Sequence, residues 1–278
     1  MPKAPITTQP SEISPRAATP QVGNADLTLS PPILQQPHLD LQEAVTAVLN
    51  GFETQARGQL IMPSGTSRTL TALKIAEDLP GNGSSAIIYL VSSLALLNQT
   101  LLEWKCNARN PFFAYALCSD SKTEQKSGDS DLARYLTPAE LQCPAFTDAK
   151  AMIKQMWADL EILLTSDKDQ MVVFFVTYQA LQGLYDFFNK MSMLRADLFV
   201  CEEVHRLVGS HDNTDKKRLF KLIQDDHVFG LKRLYMSAPP MVDGEAAKRQ
   251  KKSGAAVLHA LNDESKFGPV FYSSQVPY

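Results

Sequence analysis

Apolar residues along this chain fall into short unbroken runs, and between most of these runs they recur at three- and four-residue spacing. The runs Gln59–Met62, Ala86–Val91, Phe112–Leu117, Met171–Val176, Leu198–Cys201 and Arg233–Met236 predict short strands buried on both faces. Helical period marks Leu39–Gln55, where Leu41, Ala44, Val45, Val48 and Leu49 share one face, and also 69–79, 93–105, 147–164, 178–192 and 215–224. Strands that alternate with helices imply parallel βαβ units, with helices on both faces of the sheet. The predicted fold class is therefore α/β. Between the third and fourth strands, Ser119–Leu132 is polar and charged and predicts an exposed insertion.

Composition changes this picture at the N-terminus. Residues 1–36 hold seven of the 17 prolines, with many Ser, Thr and Gln. Such a stretch buries too little apolar area to offset its ordering entropy, so a disordered tail is expected over 1–36, followed by one domain over 37–278. With Lys3 and Arg16 as its only basic residues, the tail does not predict organelle targeting. The whole chain has 278 residues, 44% hydrophobic, with net charge -3. That balance excludes a uniformly basic nucleic-acid-binding surface and leaves room for a local basic groove. Cys106, Cys118, Cys143 and Cys201 show no CxxC spacing, and Cys201 lies inside a strand run, which points to reduced thiols and an intracellular setting, the cytoplasm if the source is bacterial. No apolar run approaches the length of a membrane span.

Two segments carry candidate chemistry. Met62-Pro63-Ser64-Gly65-Thr66-Ser67-Arg68-Thr69 follows a strand and opens a helix. In that order, backbone N–H groups and a helix N-terminus can cradle phosphates. The loop departs from G-x-x-x-x-G-K-[ST] at Met62, Ser67 and Arg68, so an ordinary strand-to-helix turn is the competing interpretation. The second segment, Asp197-Leu198-Phe199-Val200-Cys201-Glu202-Glu203-Val204-His205, is an apolar strand that ends in two acids and a histidine. Parallel sheets place ligands at that edge, where one acid can hold Mg2+ and its neighbour can activate water. A solvated strand end with His205 as bystander is the bland alternative.

Together with Ser237-Ala238-Pro239, these segments resemble the first RecA-like domain of the DEAD/DEAH-box, superfamily-two helicases. The closest likeness is to predicted helicases associated with restriction systems. Gly65-Thr66-Ser67-Arg68-Thr69 stands where that family has its phosphate loop. Glu202-Glu203-Val204-His205 stands for its acidic box, and Ser237-Ala238-Pro239 for its third motif. Segments at Ser92–Thr100 and Thr177-Tyr178-Gln179 resemble those that contact nucleic acid. Pro37-His38 with Gln42 resembles the segment that reads adenine, and Asn262–Tyr272 resembles the stretch that closes the domain. The resemblance implies a RecA-like P-loop NTPase fold using ATP and Mg2+. It implies phosphate binding by Gly65, Thr66, Ser67, Arg68 and Thr69, and metal binding by Thr69 and Glu202. Glu203 would be the base, His205 and Ser237 would transmit the nucleotide state, and Ser92, Gln99, Thr177 and Tyr178 would face nucleic acid, DNA before RNA.

The departures imply weak chemistry. Arg keeps the charge of Lys but has a larger planar fork. Ser67 adds a Cβ where backbone approaches phosphate. Glu202 adds a methylene to the usual Asp, and a misplacement of ~1 Å can cost ~10²-fold in a reaction that depends on positioning. Pro239 removes a hydroxyl from the coupling motif. The chain also stops at Tyr278, before the family's second RecA-like domain. The expectation is an ATP- and nucleic-acid-binding domain with hydrolysis impaired or absent and no unwinding alone. Two alternatives are an ATPase subunit completed by another chain, such as a restriction-type partner, and a nucleotide-independent scaffold. Lys216-Lys217-Arg218 predicts a solvated helix face, and Lys248–Lys252 a solvated or phosphate-touching loop. His211 and His227 lack zinc spacing. The Phe112-Phe113 and Phe174-Phe175 pairs, Trp104 and Trp157 are expected to pack in the core.

Overall fold

Strands buried on both faces read as continuous apolar runs, and the six predicted runs all become strands of one sheet. The structure, a computed structural model, describes residues 36–63, 65–79, 85–119, 141–165, 170–190, 196–206, 214–225, 230–238 and 263–274. Most of the expected tail, most of the insertion, Ser64, Asn262, His211, His227, Lys248–Lys252 and Pro239 lie outside these residues.

In chain order the elements are α1 (Gln36–Thr54), β1 (Arg57–Ile61), α2 (Arg68–Asp78), β2 (Ser85–Val91), α3 (Leu94–Asn107), β3 (Phe113–Leu117) and β4 (Ala145–Phe146). There follow α4 (Ala149–Thr165), β5 (Met171–Thr177), α5 (Leu181–Lys190), β6 (Leu198–Cys201), α6 (Thr214–Ile223), β7 (Lys232–Ser237), α7 (Glu264–Phe267) and β8 (Val270–Ser273). Among the described residues the eight strands pair in the order β4-β3-β5-β2-β6-β7-β1-β8, and every pairing is parallel. This is the α/β, RecA-like architecture that the helicase resemblance implied.

Alternation along the strands splits the core in two. Ile87, Tyr89 and Val91 of β2 pack with α1, α2 and α3, whereas Ile88 and Leu90 pack with α4, α5 and α6. Trp104 closes the first layer, its ring edge-on to Tyr89 at 5.3 Å and to Phe175 at 5.6 Å. Rings in such T-shaped pairs add about 0.5–1.5 kcal/mol each beyond burial. At the β1 edge, the ring of Phe271 lies so close that a Cβ on Gly58 would come within 2.1 Å of it. Glycine there lets β8 and α1 seat against β1.

Several details differ from the sequence pattern. The α1 helix begins at Gln36, inside the expected tail boundary. The helix expected over 178–192 is a tight turn at Tyr178–Ala180 followed by α5. Strands β4 and β8 lie outside the six buried runs: they form the sheet edges, β4 is two residues long, and β8 is only partly buried, with Val270 exposed. Trp157, expected in the core, is 48% exposed on α4.

Candidate functional site

Parallel pairing brings the C-terminal ends of the strands to one edge, and the register decides which residues meet there. Ile61 lies beside Ser237, Val91 beside Thr177, and Leu90 beside Cys201. Consequently Met62, Ser92, Tyr178, Glu202 and Ser237 all lie at or just past that edge. The described phosphate-loop residues, the acids and the third motif are thus gathered by topology alone. In open α/β sheets this edge is where ligands bind.

The loop after β1 is anchored at its start by the Met62 amide, which donates to the Ser237 carbonyl at 3.1 Å. Gly65 has φ +83, and a Cβ there would meet nothing within 4 Å. Ser67 caps α2 in the left-handed region, φ 60 and ψ 30, without a side-chain capping bond. Left-handed backbone costs a residue with a Cβ about 1 kcal/mol or more relative to glycine. Ser67 therefore occupies the conformation that glycine favours. Its carbonyl accepts from the Thr71 amide at 2.8 Å, and the Thr69 carbonyl accepts from Trp104 Nε1 at 3.0 Å. The first turn of α2 thereby rests on the aromatic core.

Arg68 leaves the head of α2 and meets Glu203: Nη2 lies 2.5 Å from Oε1, with side-chain exposures of 10% and 12%. A charge-assisted hydrogen bond of this kind contributes about 1.5–3 kcal/mol net. The other amino nitrogen, Nη1, is buried without a hydrogen-bond partner among the described residues. Such a donor fits a further anionic oxygen, so the residues present suit a phosphate.

The acidic turn is built more tightly. Glu202 is 2% exposed, its amide donates to the Leu90 carbonyl at 3.0 Å, and its carboxylate accepts from the Tyr89 hydroxyl at 3.0 Å. Its own carbonyl accepts from the Tyr178 hydroxyl at 2.8 Å. Burial pushes the Glu202 carboxyl up from its ordinary value, opposed by the Tyr89 hydrogen bond and the Arg68 charge. Burial also holds the Tyr89 and Tyr178 phenols well above their ordinary range, so both hydroxyls remain donors. Glu203 then adopts φ 55, and its second oxygen lies 3.2 Å from His205 Nε2.

The remaining expected residues fall into place unevenly. Gln42 is exposed on α1; its neighbours Asp40 and Glu43 help raise the Tyr272 phenol, after burial, which puts that end of α1 beside β8. Ser92 is half-buried after β2, and Gln99 is exposed on α3. The Thr177 hydroxyl is buried without a hydrogen-bond partner among the described residues. Tyr178 is 4% exposed, so its side chain faces inward. Burial raises the half-buried Glu103 carboxyl of α3, and Thr69 beside it works in the opposite direction. Among the described residues, no group of three or more His, Cys, Asp or Glu side chains gathers as a metal site.

Sequence reasoning missed Tyr89, Glu103 and the bond from Trp104 to the loop. One signal was available for Tyr89. A tyrosine inside the otherwise aliphatic run Ala86–Val91 needs a buried partner for its hydroxyl.

Comparison with known proteins supports the same assignment. Residues 36–240 match the family described as "Type III restriction enzyme, res subunit". A structure of the ATP-dependent Type ISP restriction-modification enzyme LlaBIII bound to DNA is similar at 31% identity and TM-score 0.66, over 84% of this chain and 15% of that one. A nuclease-deletion mutant of the Type ISP enzyme LlaGI, in complex with a DNA substrate mimic, is similar at 29% identity and TM-score 0.58, over 84% of this chain and 19% of that one. The chain therefore spans less than a fifth of either enzyme. No curated protein matches it. Among the described residues, no helix is long and apolar enough to cross a membrane.

Proposed function

The chain belongs to the family of type III restriction enzyme res subunits, and on that premise we propose that it is a helicase-type domain that binds ATP and nucleic acid and hydrolyses ATP poorly, if at all. One observation carries the reading: the Arg68 guanidinium at the head of an eleven-residue helix, paired with Glu203 through Nη2 and holding Nη1 unpartnered. Backbone amides of Gly65–Thr69 and the helix N-terminus would hold phosphate oxygens, with Arg68 as the cation. Gln42 would meet the adenine. ATP supplies the phosphoryl group when bound, and the family's use of Mg2+ would fall to Thr69 and Glu202.

Of the two metal candidates, Glu202 is already engaged by Tyr89, and Thr69 lies beside the Glu103 carboxyl. Glu203, the candidate base, is held by the cation that stands in place of the usual lysine. In a reaction that depends on positioning and electrostatics, these commitments favour binding over turnover. His205 and Ser237 would relay the nucleotide state from the same edge.

DNA is the favoured nucleic acid, because the similar LlaBIII structure is of an enzyme bound to DNA. Ser92, Gln99 and the Thr177 segment would face its backbone. Tyr178 would serve by position, since its hydroxyl is bonded inside. A restriction-type partner chain or a second helicase domain would complete any motor.

Calorimetric titration with Mg-ATP, alongside a DNA-stimulated ATPase assay, tests the reading. We expect saturable binding that Arg68→Ala removes, with little or no turnover. Absence of binding in the wild type would leave the scaffold alternative. Fast DNA-stimulated turnover that Glu203→Gln abolishes would instead establish the active ATPase.

A further inference from the structure

The acid opposite Arg68 is in an unusual place for a group whose only task is to activate water. Glu203 has φ 55, a left-handed backbone that a side chain with a Cβ seldom adopts. The cause lies in its neighbour. Glu202 is fixed from both faces of the sheet: Tyr89 from the α1–α3 layer holds its carboxylate, and Tyr178 from the opposite layer holds its carbonyl. Its amide is bonded to Leu90 as well. With that residue immobilised, the chain turns at Glu203 and its carboxylate is delivered to Arg68 at 2.5 Å.

A carboxylate and a phosphate are rivals for the same guanidinium fork. Resting on the phosphate-binding reading above, we propose that Glu203 is a tethered competitor for the anion at Arg68, with Tyr178 as the residue that positions it. The site is then regulated from within. A phosphate meets the unpartnered Nη1 and takes the whole fork by displacing the carboxylate from Nη2, and whatever shifts the Tyr178 turn changes how strongly the carboxylate competes. Thr177, immediately before that turn, belongs to the segment that resembles a nucleic-acid contact. This gives DNA a short physical route to the nucleotide site.

The competitor role predicts the opposite of what a base role predicts for binding. Loss of a base alters turnover and leaves ground-state affinity nearly unchanged. Loss of a competitor raises affinity by the inverse of the fraction of time the site is free, about tenfold if the pair is closed about nine-tenths of the time. The test is calorimetric titration of the full chain with Mg-ADP, which avoids turnover. Glu203→Gln should bind about tenfold more tightly than wild type. Glu203→Asp, which keeps the charge and withdraws it by one methylene, should fall between the two. Tyr178→Phe should also tighten binding, by less; a merely structural loss at that position would weaken it. Wild-type binding with equal or weaker binding by Glu203→Gln and Glu203→Asp would overturn the competitor and leave the phosphate site standing. No binding by wild type or any of these variants would overturn both.

Discussion

The two halves of the Arg68–Glu203 pair are built in contrasting ways. The loop half, Met62–Thr69, has glycine in open surroundings at Gly65 and a left-handed Ser67, and Thr66 is bonded back to Pro63 within the loop itself. The acid half is clamped from two strands and both layers, through the amide, the carbonyl and the carboxylate of Glu202. The acid half is therefore preset by the fold, whereas the loop half takes its shape from local backbone preferences. Ligand binding should change the loop, release the Glu203 side chain from Arg68, and leave the backbone of the acidic turn nearly as it is.

Trp104 joins the halves, and its removal is the harshest way to break the contrast. The ring packs on Tyr89 behind the acids, while its N–H supports Thr69 in the loop. Trp104→Ala should cost about 3–5 kcal/mol in chemical denaturation. Trp104→Phe retains a ring and should cost about 1 kcal/mol, the hydrogen bond to the loop. A smaller effect, of roughly 0.5–3 kcal/mol, is expected as the coupling in a denaturation double-mutant cycle of Arg68→Ala with Glu203→Ala. A coupling near zero would mean that the halves are not joined energetically.

The strands were legible because burial on both faces leaves an unbroken apolar run, as in Ile87–Val91, where every residue is fully buried. Edge strands β4 and β8 are short and only partly buried, so their few apolar residues do not stand out as such a run. The site was legible as an order of motifs, and the parallel register then placed them on one edge. Their side-chain partners were not legible. The hydroxyl of Tyr89 reaches Glu202 because β2 and β6 pair with Leu90 beside Cys201, a relation that no spacing along the chain encodes. Tyr178 carries the same lesson. Its motif suggested an outward contact, yet its hydroxyl is drawn in by the Glu202 carbonyl.

The acid half can be sharpened by pH. The Glu202 carboxyl is raised by burial, so the folded protein retains its proton where the unfolded chain has already lost one. Stability from this group is complete below the ordinary carboxylate range and declines as pH rises through the raised value. Glu202→Gln removes that decline. Its melting temperature relative to wild type should increase as pH rises above the ordinary carboxylate range. A constant difference over that rise in pH would show that Glu202 does not titrate as its burial implies.

The loop half gives the mildest test. Ser67→Gly should relieve the left-handed backbone and stabilise the fold by up to about 1 kcal/mol in denaturation, less whatever the freer unfolded chain takes back. A clear loss of stability would mean that the serine hydroxyl has a role beyond shape.

Hydrogen exchange across the chain, with and without Mg-ATP, is the decisive measurement for a phosphate site at Arg68. Exchange should slow at Thr66–Thr71, at the head of α2, with little change at the backbone of the acidic turn that the fold has already fixed. Protection confined to another region, or none at saturating ATP, would contradict a phosphate site at Arg68.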